Sequence, residues 1–185
     1  MPAILKKSGP TPGDERQTPR WLFEACARSW GPFVIDCAAT KENALCDQWF
    51  GPGSGLREDA LSGPIILRVV TFKPYPPQGY PVGMRAWLNP PYSRGNIGKF
   101  MAWARDQAID GWTVCCLVPF DPSVKWWREN IGDPARPHPW VGEVVAVEGR
   151  VRFPHPSKER TGGANFPSAV VVMRPPFTIH KPKGD

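Results

Sequence analysis

Apolar positions along the chain repeat with different periods, and each period predicts a different element. Leu22, Phe23, Cys26 and Trp30 recur at helical spacing between Thr18-Pro19 and Gly31-Pro32. This predicts an amphipathic helix with Thr18 as N-cap, Pro19 as first helical residue and a stop at Gly31-Pro32. Phe33-Val34-Ile35 is a short apolar run between breakers and predicts a buried strand ending at Asp36. Cys37 to Leu45 reads as a loop turning into a helix, and Gly51-Pro52-Gly53-Ser54-Gly55 as a loop. Ile65 to Phe72 has strand character, and the proline-rich Lys73 to Gly83 is expected on the surface. Met84 to Leu88 then predicts a strand that runs directly into Asn89-Pro90-Pro91-Tyr92.

Two strand–helix units follow. Ile97, Phe100, Met101, Ala104 and Ala108 trace a helical stripe that ends at Gly111. Trp112 to Val118 is apolar throughout but for Thr113, as expected of a strand covered on both faces. Asp121-Pro122 repeats the cap-plus-proline signal before a helix with Val124, Trp127 and Ile131 on one face and Trp126 off it. Glu143 to Phe153 and Ala169 to Met173 are β-rich and joined by a polar loop from Pro154 to Pro167. Alternating strands and helices followed by terminal antiparallel strands predict an α/β fold, a mostly parallel sheet with an antiparallel C-terminal edge. Residues 1–17 read as a flexible arm, 18–174 as one domain and 175–185 as a tail.

Composition narrows the classes. The 185 residues suit one domain, and 9 Trp with 9 Phe supply burial that a disordered chain lacks, despite 18 Gly and 24 Pro. No apolar run approaches the roughly 18 residues that span a bilayer, and the amino-terminal stretch is unlike a signal peptide. Five Cys without a CxxC pair indicate a reduced, cytoplasmic setting, and three His near prolines give no metal-ligand spacing. A net charge of +6 is compatible with a polyanionic partner. No oligomeric state is specified, and a monomer is favoured.

The chemistry concentrates in Asn89-Pro90-Pro91-Tyr92. Ligands of open α/β sheets bind beyond the carboxyl ends of the strands, where Met84 to Leu88 delivers this tetrapeptide. Asn89 and Pro90 each precede a proline and are driven to extended backbone, while the prolines fix φ and remove donors. The result is a stiff hook with two carbonyl acceptors, the Asn89 side chain and the Pro90 backbone, beside the aromatic face of Tyr92. Such a pair suits an exocyclic aromatic amine. Accepting both N–H bonds leaves the nitrogen lone pair directed at an incoming methyl group and stabilises the developing positive charge. The alternative is an ordinary proline-rich turn.

Several pieces, in order, carry a resemblance: Thr18-Pro19…Phe23, Asp36-Cys37-Ala38-Ala39…Asn43-Ala44…Cys46, Asp59-Ala60-Leu61, Trp87 to Tyr92, Leu117-Val118-Pro119…Lys125-Trp126-Trp127, and Gly149 to Phe153. Together they resemble the phage-type DNA N-6-adenine methyltransferases, compact relatives of the Dam enzymes. The resemblance implies a Rossmann-like fold, S-adenosylmethionine as methyl donor, a flipped adenine of double-stranded DNA as acceptor, and a phage or prophage origin in a bacterial host. It places Thr18, Pro19, Asp36, Ala38, Asn43 and Asp59 around the cofactor, with Asp36 at its methionine end and Asp59 near its ribose or adenine. Asn89, Pro90, Pro91 and Tyr92 would hold the target base. Trp126 is either a wall of the base pocket or a packing residue under the terminal hairpin. Lys125, Arg128, Arg150, Arg152, Lys158 and Arg160 are candidates for phosphate contact. Two departures stand out. The turn after the first strand reads Asp36-Cys37-Ala38-Ala39-Thr40 where a glycine-rich turn is common, and residues 63–86 are longer than the pattern needs. Transfer to cytosine N4 and a non-catalytic DNA-binding module remain as alternatives.

Overall fold

The computed structural model describes residues 17–66, 84–93, 95–154 and 164–176. The arm before Gln17, the strand beyond Ile66, the surface excursion at 73–83, Lys158, Arg160 and the tail from Phe177 lie outside the described residues. The elements are α1 (Arg20–Trp30), β1 (Ile35–Asp36), a 3-10 turn (Ala60–Ser62), β2 (Arg85–Leu88), α2 (Asn96–Ile109), β3 (Thr113–Pro119), α3 (Lys125–Asn130), β4 (Gly132–Asp133), β5 (Arg136–Pro137), β6 (Val141–Ala146) and β7 (Ser168–Met173).

Five strands form one sheet in the order β1-β2-β3-β7-β6. β1, β2 and β3 are parallel, in a register that pairs Asp36 with Trp87 and Leu88 with Cys116. β7 is antiparallel to both β3 and β6. The antiparallel pairing falls on the expected side of the sheet, but the last strand lies inside and β6 forms the edge. All six residues of β7 are buried, the pattern of a strand covered on both faces.

Strand alternation sends side chains into two cores. Ile35, Ala86, Leu88, Val114, Cys116, Val118 and Val171 pack under α2 and α3. Trp87, Cys115, Leu117, Val170 and Val172 pack under Leu22 and Cys26 of α1, together with Val151 and Phe153. Trp87 is fully buried and takes Phe23 edge-on at 5.4 Å and Phe33 at 5.6 Å. Burial of each such side chain contributes on the order of 2 kcal/mol, so this cluster fixes α1 to the sheet. The α2 stripe is buried at all five anticipated positions.

Several boundaries differ from the sequence expectation. Pro19, not Thr18, is the N-cap of α1, with extended backbone; its carbonyl accepts from Leu22 and Phe23. A proline there fills the position with its fixed φ, and no side-chain cap forms. Cys37 to Leu45 forms no helix, because Asp36 and Asn43 side chains accept backbone N–H groups that a helix would use. Asp121 accepts from Ser123 in a turn, so α3 starts only at Lys125. β6 ends at Ala146, before the Glu148-Gly149 turn, and 147–153 is not strand. The hairpin β4–β5 was not anticipated. Its signals are Gly132 at φ +89° and the Asp133 carboxylate accepting from Ala135 N–H at 2.7 Å.

Candidate active site

The carboxyl ends of β1, β2 and β3 lie along one edge, and the pairing of Ser168 with Pro119 brings the start of β7 there too. Val147 donates to Ser168, placing the chain after β6 at the same edge. Gln17 N–H donates to Pro154, which brings the start of α1 beside 151–154. The topology therefore gathers Thr18, Asp36, Asn89 to Tyr92, Arg150 and Arg152 from four separate stretches.

Asn89 is half-buried and Pro90 buried, directly after the last β2 residue. The Tyr92 hydroxyl stands 2.7 Å from Asn89 Oδ1 and 3.0 Å from the Leu117 carbonyl of β3. Leu117 is one residue past the last β2–β3 pair, so this contact extends the junction of the strands beyond the ladder. The Tyr92 ring meets Phe153 at 6.0 Å and Phe166 at 5.5 Å, both edge-on. Tyr92 is thus wedged against an aromatic cluster as well as facing the edge. Phe153 and Phe166 were not singled out from the sequence as neighbours of Tyr92. The Val151/Phe153 alternation was the available signal for Phe153; Phe166 had none.

Asp36 behaves differently. It is 3% exposed, and its two oxygens accept Ala38 N–H at 3.4 Å and Leu45 N–H at 3.2 Å. Burial raises its carboxyl to about 6, with those two backbone hydrogen bonds opposing the rise. The chain leaves Asp36, loops through 37–47 and returns beside it, Asp36 N–H donating to Gln48 and Phe50 N–H to Asp36. Trp49 pairs with Asp36 in an isolated bridge, and its indole Nε1 is buried without a partner. Asn43 Oδ1 accepts Thr40 N–H at 2.7 Å within the same loop.

The missing glycine of this turn is found across the loop. Gly51 has φ +152°, and a Cβ there would lie 1.7 Å from the Ala39 carbonyl. Glycine is needed at 51 because the returning chain closes on the turn, while Ala38 and Ala39 suffice within it.

Asp59 is exposed and caps the 3-10 turn, accepting Leu61 N–H at 2.9 Å. Trp126 is half-buried over the first turn of α2, its Cβ 3.2 Å from where a Gly98 Cβ would stand, and 5.6 Å from Trp127. The structure therefore gives Trp126 a packing contact with α2. Arg150 and Arg152 are exposed, while Val151 and Phe153 between and beyond them are buried, so the arginines stand outward from anchored neighbours. Lys125 is exposed and lies 3.6 Å from Glu129. Among the described residues no group of three or more His, Cys, Asp or Glu could hold a metal, and no helix is long and apolar enough to cross a membrane.

The arrangement offers carbonyl acceptors at a rigid turn, an aromatic wall and outward cations. Comparison with known proteins gives this geometry a lineage. A curated relative, the DNA N-6-adenine-methyltransferase of Escherichia phage T1, is 24% identical over 167 residues, which is 85% of this chain and 61% of that protein. The chain thus spans about three fifths of that relative's length. The family model described as DNA N-6-adenine-methyltransferase (Dam) matches residues 78–183. That range includes Asn89 to Tyr92, Lys125, Trp126, Arg150 and Arg152, and leaves Thr18 to Asp59 outside. Since the matched range is more than half the chain, the protein belongs to the DNA N-6-adenine-methyltransferase (Dam) family.

Proposed function

We propose that this chain methylates N6 of adenine in double-stranded DNA, with S-adenosylmethionine as donor. The observation that carries the reading is the Asn89 carboxamide on a proline-stiffened turn at the carboxyl edge of the parallel strands, beside Tyr92. Asn89 Oδ1 and the Pro90 carbonyl accept the two N–H groups of the target amine. That orients its lone pair and stabilises positive charge on nitrogen as it forms. Pro91 keeps Pro90 extended, and the Tyr92 ring walls the base. The base leaves the stack to reach this depth.

The donor set suits the proposed cofactor. Trp49, bridged to Asp36 through the backbone, has a buried indole Nε1 without a partner, and the raised Asp36 carboxyl marks a site that a cationic ligand would compensate. S-adenosylmethionine, when bound, supplies an electrophilic methyl carbon. Asp36 shapes the loop that would hold its methionine end, and Ala38 permits close approach. Thr18 and Pro19 close the pocket from the start of α1. Asn43 and Asp59 also line it, Asn43 by holding the loop turn and Asp59 from the 3-10 turn near the ribose or adenine. The sheet, with β7 inserted antiparallel between β3 and β6, is compatible with a Rossmann-like methyltransferase domain over 18–174. Arg150, Arg152 and Lys125 contact phosphates. Trp126 supports α2 beneath the site.

Incubation of duplex DNA with the protein and methyl-labelled S-adenosylmethionine, followed by nucleoside mass spectrometry, tests the reading. N6-methyldeoxyadenosine is expected. N4-methyldeoxycytidine in its place, or no methylated nucleoside from a protein that binds DNA, would overturn it.

A further inference from the structure

Two indole nitrogens, Trp49 Nε1 and Trp87 Nε1, are buried with no hydrogen-bond partner among the described residues. A buried N–H without an acceptor is costly, so each orphan calls for a reason. Both belong to residues paired with Asp36. Trp87 is its registered partner on β2, and Trp49 its partner in the parallel bridge on the other side. Registered neighbours stand on the same face of a sheet. Trp87 packs in the α1 core, while Ile35 and Phe50, the chain neighbours of Asp36 and Trp49, pack in the opposite one. Asp36 therefore lies in one row between two indoles, on the α1 face at the carboxyl end of β1.

The two orphans differ in access. Trp87 is fully buried and closed over by Phe23 and Phe33. Trp49 is partly exposed, yet the atom it buries is its nitrogen. A partly exposed indole ordinarily wets its N–H and buries its carbons, so this donor is turned inward against its own preference. Among the described residues no cation forms an ion pair with Asp36. A carboxylate without a cation, next to a donor without an acceptor, is complementary to a zwitterion. An α-amino acid carries its ammonium and its carboxylate on one carbon, and adjacent strands set paired residues roughly 4.8 Å apart. We infer that Trp49 is a cofactor-binding residue whose indole N–H donates to the carboxylate of the methyl donor's amino-acid end, with the ammonium of the same carbon against Asp36. This rests on S-adenosylmethionine as the donor in the proposed reaction and adds a contact from outside the β1 turn.

The test compares two ligands by calorimetry, S-adenosylmethionine and its decarboxylated form, which keeps the sulfonium and the amine. The parent should bind the decarboxylated form about tenfold more weakly, as expected when a hydrogen bond to a charged group is lost. Trp49→Phe keeps a ring in the packing and removes the N–H. It should bind S-adenosylmethionine about tenfold more weakly than the parent and the decarboxylated form within about twofold of it, because the lost bond is the same one. Indole 15N–1H spectra of the parent give an answer even if the variant does not fold: one indole signal moves downfield with S-adenosylmethionine and stays in place with the decarboxylated form. A parent indifferent to the carboxylate, a variant weakened equally toward both ligands, or indole signals that respond alike to both overturns the inference and leaves adenine methylation standing. A parent that binds S-adenosylmethionine with the expected preference but leaves adenine unmodified removes the proposed reaction and keeps this contact. A parent that binds neither ligand removes both.

Discussion

Two turns at the same sheet edge solve opposite problems. The turn after β1 uses its carboxylate inwardly: both Asp36 oxygens accept backbone N–H groups, and the loop closes on itself. The turn after β2 uses prolines to hold its backbone and keeps the Asn89 amide at the surface of the edge, braced by Tyr92. One turn is held by its own polar side chain and the other by its prolines, with its polar side chain bonded to Tyr92. A buried carboxylate that organises a loop can bind a ligand mainly through the shape it imposes, whereas a half-buried amide on a rigid turn can act directly.

Four substitutions or titrations break or sharpen this contrast. Asn89→Ala removes the acceptor and should lower kcat by about a thousandfold or more in a methyl-transfer assay, with the denaturation midpoint unchanged. Gly51→Ala attacks the other turn. Because its Cβ would overlap the Ala39 carbonyl at 1.7 Å, a loss of about 3 kcal/mol or more is expected by urea unfolding.

The third test is a pH profile. Asp36 has a folded value of about 6 against an ordinary 3.8, so the native state binds more protons between these values. Its contribution is fully present below pH 4 and is lost as pH rises through 6, by an amount on the order of 2–3 kcal/mol. Asp36→Asn should flatten that part of the stability curve, as followed by thermal melts across pH 4–7. Smallest is Arg152→Ala, which should weaken duplex binding about threefold and reduce the salt slope by about one, as measured by fluorescence anisotropy.

The sheet was legible where apolar runs were bounded by breakers. β2, β3 and β7 each fell within a residue or two of the expected span, because a strand covered on both faces has no polar alternation to confuse it. The order β7 inside β6 was not legible, since a hairpin pairs the same way whichever strand lies inward. The loop from Cys37 to Leu45 misled for a local reason: its spacing suited a helix, but Asp36 and Asn43 side chains competed for the backbone donors. At the site, Asn89 to Pro91 could be read directly because proline restricts backbone by covalent structure alone. The neighbours of Tyr92 depend on contacts between residues 25 to 74 positions apart, which periodicity does not encode.

The inward place of β7 also bears on synthesis. During translation β3 and β6 emerge with facing rows of backbone donors and acceptors open to any passing strand, and only the late stretch Ser168–Met173 closes that gap. Nascent chains halted before this stretch should be sticky and dependent on chaperones, because β7 follows both of its partner strands in the chain.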